Sequence, residues 1–292
     1  MQIQSLKTFC DLVETQSFTR TAQLNEVSQS AVSQTIAAVE KRFKSLLIER
    51  SRKNFRLTAE GQAVYDCFKK ILQSWEATHN KMQEIKHVIS GAIRVSTVYS
   101  IGLHKIPPYL KRFLKSYPTV KVEVEFRNPD KVYQDVLANT ADLGLVNFPT
   151  ATSQLKVVPM PEEPFVLVCY PQHPFATLKT IHPKALNGQK FVSFLPGIPT
   201  RQAVDSILGR EGVAVEHVME LDNIETVKQV VELDKGVAIL PVGTVALEVG
   251  KQTLATVRLA GKYMRKWGVI YKDSKVLSPA MKEFIALLKK RL

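Results

Sequence analysis

Cysteine is scarce in this chain: three in 292 residues, at Cys10, Cys67 and Cys169, far apart and without a C-x-x-C pair. That spacing excludes a disulfide framework and fits a reducing compartment. Cys10, among Leu6, Phe9 and Val13 on an amphipathic stretch, reads as a small buried hydrophobe. Long apolar runs are missing, with no stretch near the ~18 consecutive apolar residues of a membrane span. The first residues carry Asp11 and Glu14 and no apolar h-region, so no signal peptide is expected. The chain is expected to be cytoplasmic, without a membrane partner. Catalytic signatures are lacking too. His79, His87, His104, His173, His182 and His217 form no HExxH or HxxxH spacing, and none pairs with a cysteine at zinc-finger distance. His173, in a Gln-His-Pro turn, reads as structural. No GxSxG, P-loop or GxGxxG is present. No enzyme, cofactor or metal is expected.

Acidic residues are also in deficit, 27 against 40 Lys and Arg, for a net charge of +13. The surplus favours anionic partners, either nucleic acid or acidic small molecules. It is spread along the chain. Residues 1–58 hold nine basic against five acidic side chains, residues 59–90 four against four, and residues 91–292 27 against 18. Solubility alone accounts for part of the C-terminal share.

What is present is most informative between residues 17 and 58. A helix over 3–15 shows one apolar face of Ile3, Leu6, Phe9, Cys10 and Val13. Ser17 or Thr19 can cap a second helix, Asn25 tolerates a left-handed turn, and Val27 is expected to tuck back into the core. Ser28 caps a third helix. Val32, Ile36, Val39 and Phe43 recur at helical spacing and point inward. Gln29 at its start and Ser30, Ser33, Gln34, Ala37 and Lys41 on its other side form a small, hydrogen-bonding and mostly uncharged stripe. Such a stripe suits base edges in a DNA major groove better than it suits solvent. Two short extended runs, Leu47–Arg50 and Phe55–Leu57, flank a basic tip at Ser51–Asn54. They read as the wing of a winged helix-turn-helix.

The next segment, about 59–90, reads as one long helix capped by Thr58. Val64, Phe68, Ile71, Trp75, Thr78, Met82, Ile85 and Ile89 step by alternating fours and threes, a heptad seam with one polar exception. Pairing with the same helix of a second subunit is the economical way to cover it; packing on this chain's own C-terminal domain is the alternative. After Ser90-Gly91, strand-length apolar runs alternate with helical patterns to the C-terminus, arguing for α/β lobes with mainly parallel sheets. Stretches near 149–164 and 260–268 are candidate crossovers between two lobes. Ser100 and Thr200-Arg201 open helices after strands, where free backbone N–H groups and the dipole favour an anion. Ordinary capping by Ser100, and an ion pair of Arg201 with a protein acid, are the plainer alternatives.

These elements, in order, resemble the LysR-type transcriptional regulators over essentially the whole length. The matching positions are Phe9, Ser17-Phe18, Ala22, Val27-Ser28-Gln29, Ala31-Val32-Ser33, Ile36, Glu40, Leu47, Arg50 and Leu57-Thr58 followed by Gly61. Downstream come Ile101-Gly102 before Pro107-Pro108, Tyr117-Pro118, Asp142, His173-Pro174 and the run from Gly236 to Pro241. The resemblance implies a chain that is α/β overall, with a winged helix-turn-helix over 1–58 and a linker (dimerisation) helix over 59–90. Residues 91–292 would form a two-lobed effector domain like type 2 periplasmic binding proteins, built of Rossmann-like subdomains. Lobe I would take about 91–160 and 268–292, and lobe II about 161–267. The function implied is sequence-specific binding of double-stranded promoter DNA, modulated by a small, anionic effector between the lobes. The chain would be a homodimer through the linker helix and a homotetramer overall, with RNA polymerase a further partner if it activates.

On this resemblance Arg20, Ser28, Gln29, Ser30, Ser33, Gln34, Arg50, Arg52, Lys53 and Arg56 meet DNA. The basic ones supply affinity to phosphates and the polar ones specificity. The effector site takes Thr97, Tyr99, Ser100, Asn128, Asp130, Thr200, Arg201 and Asn223. The dimer seam takes Val64, Phe68, Ile71, Trp75, Met82 and Ile85. Three departures stand out: Thr21-Ala22 for Ala-Ala, Asn25 for a leucine, and Lys44 for the glycine that ends the recognition helix. A left-handed Lys44 would cost roughly 1–2 kcal/mol. Competing readings are a solute-binding protein of the periplasmic class, which the C-terminal lobes alone permit, and a DNA binder without sequence preference.

Overall fold

The computed structural model describes residues 1–50, 55–86 and 88–290. The expected DNA contacts Arg52 and Lys53, and the side chain of Arg50, lie outside the described residues. The chain divides into two compact units: Met1–Ser90 with Ser274–Pro279, and Gly91–Asp273 with Ala280–Leu292.

In the first unit, α1 (Ile3–Thr15), α2 (Phe18–Leu24) and α3 (Gln29–Phe43) precede the antiparallel pair β1 (Ile48–Arg50) and β2 (Phe55–Leu57). The long α4 (Ala59–Ile85) follows. Apolar spacing puts Leu6, Phe9, Cys10, Leu12, Ala22, Val32, Ile36, Val39, Leu47 and Ile48 into one core. Burial drives the Cys10 thiol up to about 12, with Glu14 and Asp11 adding to it. Ser17 caps α2 by accepting from the Arg20 amide, and Ser28 caps α3 by accepting from the Ala31 amide. The Glu40 carboxylate accepts from the Leu47 and Ile48 amides, tying the end of α3 to β1. Gly61 lets α4 approach the backbone just before that strand, since a Cβ there would sit 2.0 Å from the Leu47 carbonyl oxygen.

Four expectations change in this unit. Asn25 has φ −102°, and the left-handed residue is Glu26, at φ 53°. The Asn25 side chain is needed elsewhere: it accepts from Gln4 and Lys7 and donates to Asp11. Val27 and Phe43 stay 43% and 42% exposed, because the core is filled without them; Phe43 still meets the Phe68 ring at 5.9 Å. Val64 and Phe68 do not lie on an open seam. Both are buried in this unit's own core, Phe68 edge-on to Phe9 at 5.7 Å. Finally α4 stops at Ile85, short of Ile89. Its 27 residues span roughly 40 Å at ~1.5 Å each, and Tyr65 and Lys69 pin it to α1 by donating to Glu14.

The second unit has two lobes. Its elements are β3 (Gly91–Thr97), α5 (Tyr99–Gly102), α6 (Ile106–Ser116), β4 (Val120–Phe126), α7 (Pro129–Leu137), β5 (Leu143–Asn147) and β6 (Leu155–Pro159). There follow β7 (Glu163–Cys169), β8 (Thr180–Ile181), β9 (Lys190–Phe194), α8 (Pro199–Arg210), β10 (Glu216–Leu221), α9 (Ile224–Glu232) and β11 (Ala238–Pro241). The last are α10 (Ala246–Gly250), β12 (Ala255–Leu259), β13 (Met264–Arg265), β14 (Trp267–Lys272) and α11 (Pro279–Leu288). The first lobe's sheet runs β4-β3-β5-β14-β6. In the second lobe β11-β7-β12-β8 form one path and β10-β9 another, joined by a parallel bridge between Phe191 and Val237.

Both sheets are mixed rather than mainly parallel. β14 runs antiparallel to β5 and β6, and β7 antiparallel to β11 and β12, because the chain returns to each lobe through the crossovers. Along β7, Phe165, Leu167 and Cys169 feed one core while Val166 and Val168 feed another. That alternation is what a sheet covered on both faces demands. The first crossover stretch also holds β6. The second crossing falls at Lys266, between β13 in the second lobe and β14 in the first, so Trp267 already belongs to lobe I.

Candidate functional site

On the first unit, α3 presents Gln29, Ser30, Gln34, Ala37 and Lys41 to solvent, with Ser33 half-buried beside them. Its first turn holds no acid, while Lys41 and Arg42 sit in its last. A helix start without an acid leaves its positive dipole end free for a phosphate. Ser28 is exposed at the start of α3, its hydroxyl capping the Ala31 amide and meeting Ser30 Oγ at 2.8 Å. Arg20 is half-buried, and Arg56 is exposed on β2 opposite Glu49. Polar reader and described cations thus share one small unit.

In the second unit, the carboxyl ends of β3, β4, β5, β9, β10 and β11 surround a cavity of about 420 Å³ between the lobes. Ligands of open α/β sheets bind at such ends. Six of the eight expected residues line it: Tyr99, Ser100, Asn128, Asp130, Thr200 and Asn223. Asn128 and Asn223 stand at the starts of α7 and α9, and Thr200 in the first turn of α8. The α5 helix is only four residues long, so the dipole argument at Ser100 does not hold there. The Tyr99 ring lies on Phe126, centroids 5.6 Å apart.

Two expected residues are not on the cavity. Thr97 is fully buried, its hydroxyl turned to the Val98 carbonyl. Arg201 is committed within its own lobe: its Nε donates to Asp205 at 2.8 Å, and its Nη1 to Glu220 at 2.6 Å and to the Phe194 carbonyl at 2.7 Å. The plainer alternative, an ion pair with protein acids, describes it.

Two arginines do line the cavity, Arg127 just after β4 and Arg265, which is 1% exposed. The latter stands opposite Glu163 in the β13–β7 register and bonds its carboxylate. Arg265 Nη1 also donates to Ser100 Oγ at 3.2 Å. Glu163 further accepts from Lys105 at 3.0 Å and from the Gly243 amide at 2.6 Å. Burial alone would raise the Glu163 carboxyl, but Arg265, Lys105 and the Gly243 amide outweigh it and hold it below the ordinary value. Asn147, at the end of β5, donates to Ser100 Oγ at 3.1 Å. Across the lobes, His104 meets Glu225 at 2.6 Å. Sequence reasoning missed Arg265, Asn147 and Arg127. Arg265 stands beside Lys266 just ahead of Trp267, and that stretch reads as a mere crossover.

Comparisons with known proteins agree with this layout. The profile of the bacterial regulatory helix-turn-helix protein, lysR family, matches residues 3–62, and that of the LysR substrate binding domain matches residues 86–292. The regulator CysL of Bacillus subtilis is 29% identical over 82% of this chain and 80% of its own length. The RuBisCO operon transcriptional regulator of Allochromatium vinosum is 26% identical over 97% and 94%. In three dimensions, a full-length cysteine variant of OxyR from Pseudomonas aeruginosa superposes with TM-score 0.76 at 20% identity, covering 99% of this chain and 98% of its own. Full-length CbnR complexed with its target DNA superposes at 0.62 and 20% identity, covering 99% and 98%. The regulatory domain of Synechocystis PCC6803 CcmR in complex with 2-PG superposes at 0.61 with 26% identity, over 68% of this chain and 96% of its own. The chain belongs to the LysR family of DNA-binding transcriptional regulators, with an N-terminal helix-turn-helix and a C-terminal effector-binding domain.

Proposed function

We propose that this regulator reads one promoter sequence through α3 and that a small organic anion in the interlobe cavity tunes its action there. The observation that carries the effector half is the convergence of three helix starts, at Asn128, Thr200 and Asn223, on a cavity whose wall includes a fully buried arginine. Buried cationic donors and helix N-termini together select for negative charge. Binding of 2-PG by CcmR supports a ligand of that kind. The three cysteines stand away from the cavity, two of them buried, so the ligand acts by non-covalent binding rather than through a thiol in the cleft.

The DNA half assigns base-edge contacts to Gln29, Ser30, Ser33 and Gln34, and phosphate contacts to Arg20, Arg50, Arg52, Lys53 and Arg56. Each good bidentate base contact discriminates by ~1–3 kcal/mol, whereas phosphate contacts supply affinity without sequence information. Replacing Ser33 and Gln34 together by Ala should therefore lower specific affinity at least tenfold and leave non-specific affinity nearly unchanged. A footprint titration on promoter and random duplexes at one salt concentration measures both. Equal affinity for the two duplexes in the unmodified chain would instead favour a binder without sequence preference. The exposed half of α4 (Ile71, Trp75, Met82 and Ile85) forms the dimer seam in this reading, and two dimers make a homotetramer. The regulator works in the cytoplasm, and contacts RNA polymerase where it activates.

A further inference from the structure

We infer that the ligand of this cavity is an organic oxyanion that also carries a hydroxyl or amine donor, held between Arg265 Nε and Asn147 Oδ1. The inference rests on the effector-cavity reading above. Arg265 bonds Glu163 through Nη2 and Ser100 Oγ through Nη1, while its Nε–H, though buried, meets no acceptor among the described residues. Guanidinium has no way to relieve this by losing its proton, so an acceptor entering the cavity removes a cost the folded chain otherwise bears.

Asn147 shows the opposite need. Its Nδ2 donates to Ser100 Oγ at 3.1 Å, while its Oδ1 is shielded from solvent and has no donor. Ser100 connects the two. Its oxygen accepts from both Arg265 and Asn147, which fills its lone pairs, so its own hydroxyl hydrogen is left to donate outward. Three residues lining the cavity therefore hold two unmet donors, Arg265 Nε–H and Ser100 O–H, and one unmet acceptor, Asn147 Oδ1. A bare oxyanion satisfies the donors and leaves Asn147 Oδ1 unmet. A hydroxy acid or amino acid satisfies all three. Asp130, Asp222 and Arg127 also line the cavity, and this mixed charge suits a ligand with one charged end and a neutral polar body.

Thermal unfolding of the full chain, titrated with two matched series of probes, tests this. One series is propanoate, glycerate and glycerol; the other is cyclohexanecarboxylate, quinate and myo-inositol. Each contains an anion without donors, a hydroxylated anion, and hydroxyls without charge. Binding raises the melting temperature with occupancy. In at least one series the hydroxylated anion should bind roughly tenfold or more tighter than either companion, the scale of satisfying one buried polar group. Its advantage over the plain acid should vanish in Asn147→Leu. Its advantage over the polyol should vanish in the double variant Arg265→Gln, Glu163→Gln, which removes both buried charges together and strands neither. Equal binding of the plain acid, or no binding by any hydroxylated anion in either series, overturns the inference. Leu195→Trp, which fills the cavity, separates the two levels. Binding that survives it unchanged removes the cavity reading itself. Binding lost in it but indifferent to Asn147 and Arg265 removes only the ligand class.

Discussion

Lys44 ends α3 with φ 52° and ψ 33°, the left-handed conformation, and its amide closes the helix on the Glu40 and Lys41 carbonyls. A side chain there costs roughly 1–2 kcal/mol, and glycine returns part of that as unfolded-state entropy. Lys44→Gly should stabilise the first unit by about 0.5–1 kcal/mol in chemical denaturation, and a decrease would show that the lysine side chain contributes something else. Glu163 presents the opposite case, a residue whose removal harms its neighbour. Its carboxyl is held below 4.5 in the folded chain. The stability this contributes is complete above that ordinary value and is lost as pH falls through the lower, folded one. Glu163→Gln should flatten the acid limb of the second unit's stability curve. At neutral pH it should cost about 3–5 kcal/mol, because Arg265 is left charged and buried. The double variant with Arg265→Gln should cost less, and a double variant less stable than the single would refute the pairing account.

At the scale of elements, α4 does two jobs along one apolar stripe. Its first turns bury Val64 and Phe68 under α1 and α3, while Ile71, Trp75, Met82 and Ile85 remain 41%, 58%, 48% and 62% exposed. A heptad count treats all six alike, since spacing records which side of a helix is apolar and not what covers it. Exposed aromatics and aliphatics in a row mark an interface. Trp75→Glu with Ile85→Glu should therefore shift the full chain to a lighter species in sedimentation velocity while leaving its far-ultraviolet dichroism intact. An unchanged sedimentation coefficient would place the dimer contact elsewhere. The α3 helix was more legible, because Ser28, the apolar triplet Val32, Ile36 and Val39, and the polar stripe are all local in sequence. Phe43 fits the same spacing yet stays exposed, since the core closes one turn earlier.

At the scale of the whole molecule, a DNA reader and a ligand cavity occupy separate compact units of one chain. If the ligand changes promoter affinity by some factor, promoter DNA must change ligand affinity by the same factor. Titrating a cavity ligand with and without promoter duplex should return that reciprocal shift. Factors that differ at equilibrium would mean the two sites are not linked through this protein alone. Residue order alone leaves the α2 cap open between Ser17 and Thr19, but it is enough to read the helix and strand periods, the caps at Ser28 and Thr58, the polar face of α3 and the alternation of the two lobes. These follow from interactions between residues a few positions apart. Packing is what neutralises Arg201 with Asp205 and Glu220 and brings Arg265 to the cavity wall, with Glu163 and Ser100 drawn to it from far along the chain. A side chain's charge is written in the sequence, but its partners are chosen by folding, and a cation becomes available to a ligand only where the fold leaves one of its donors unmet.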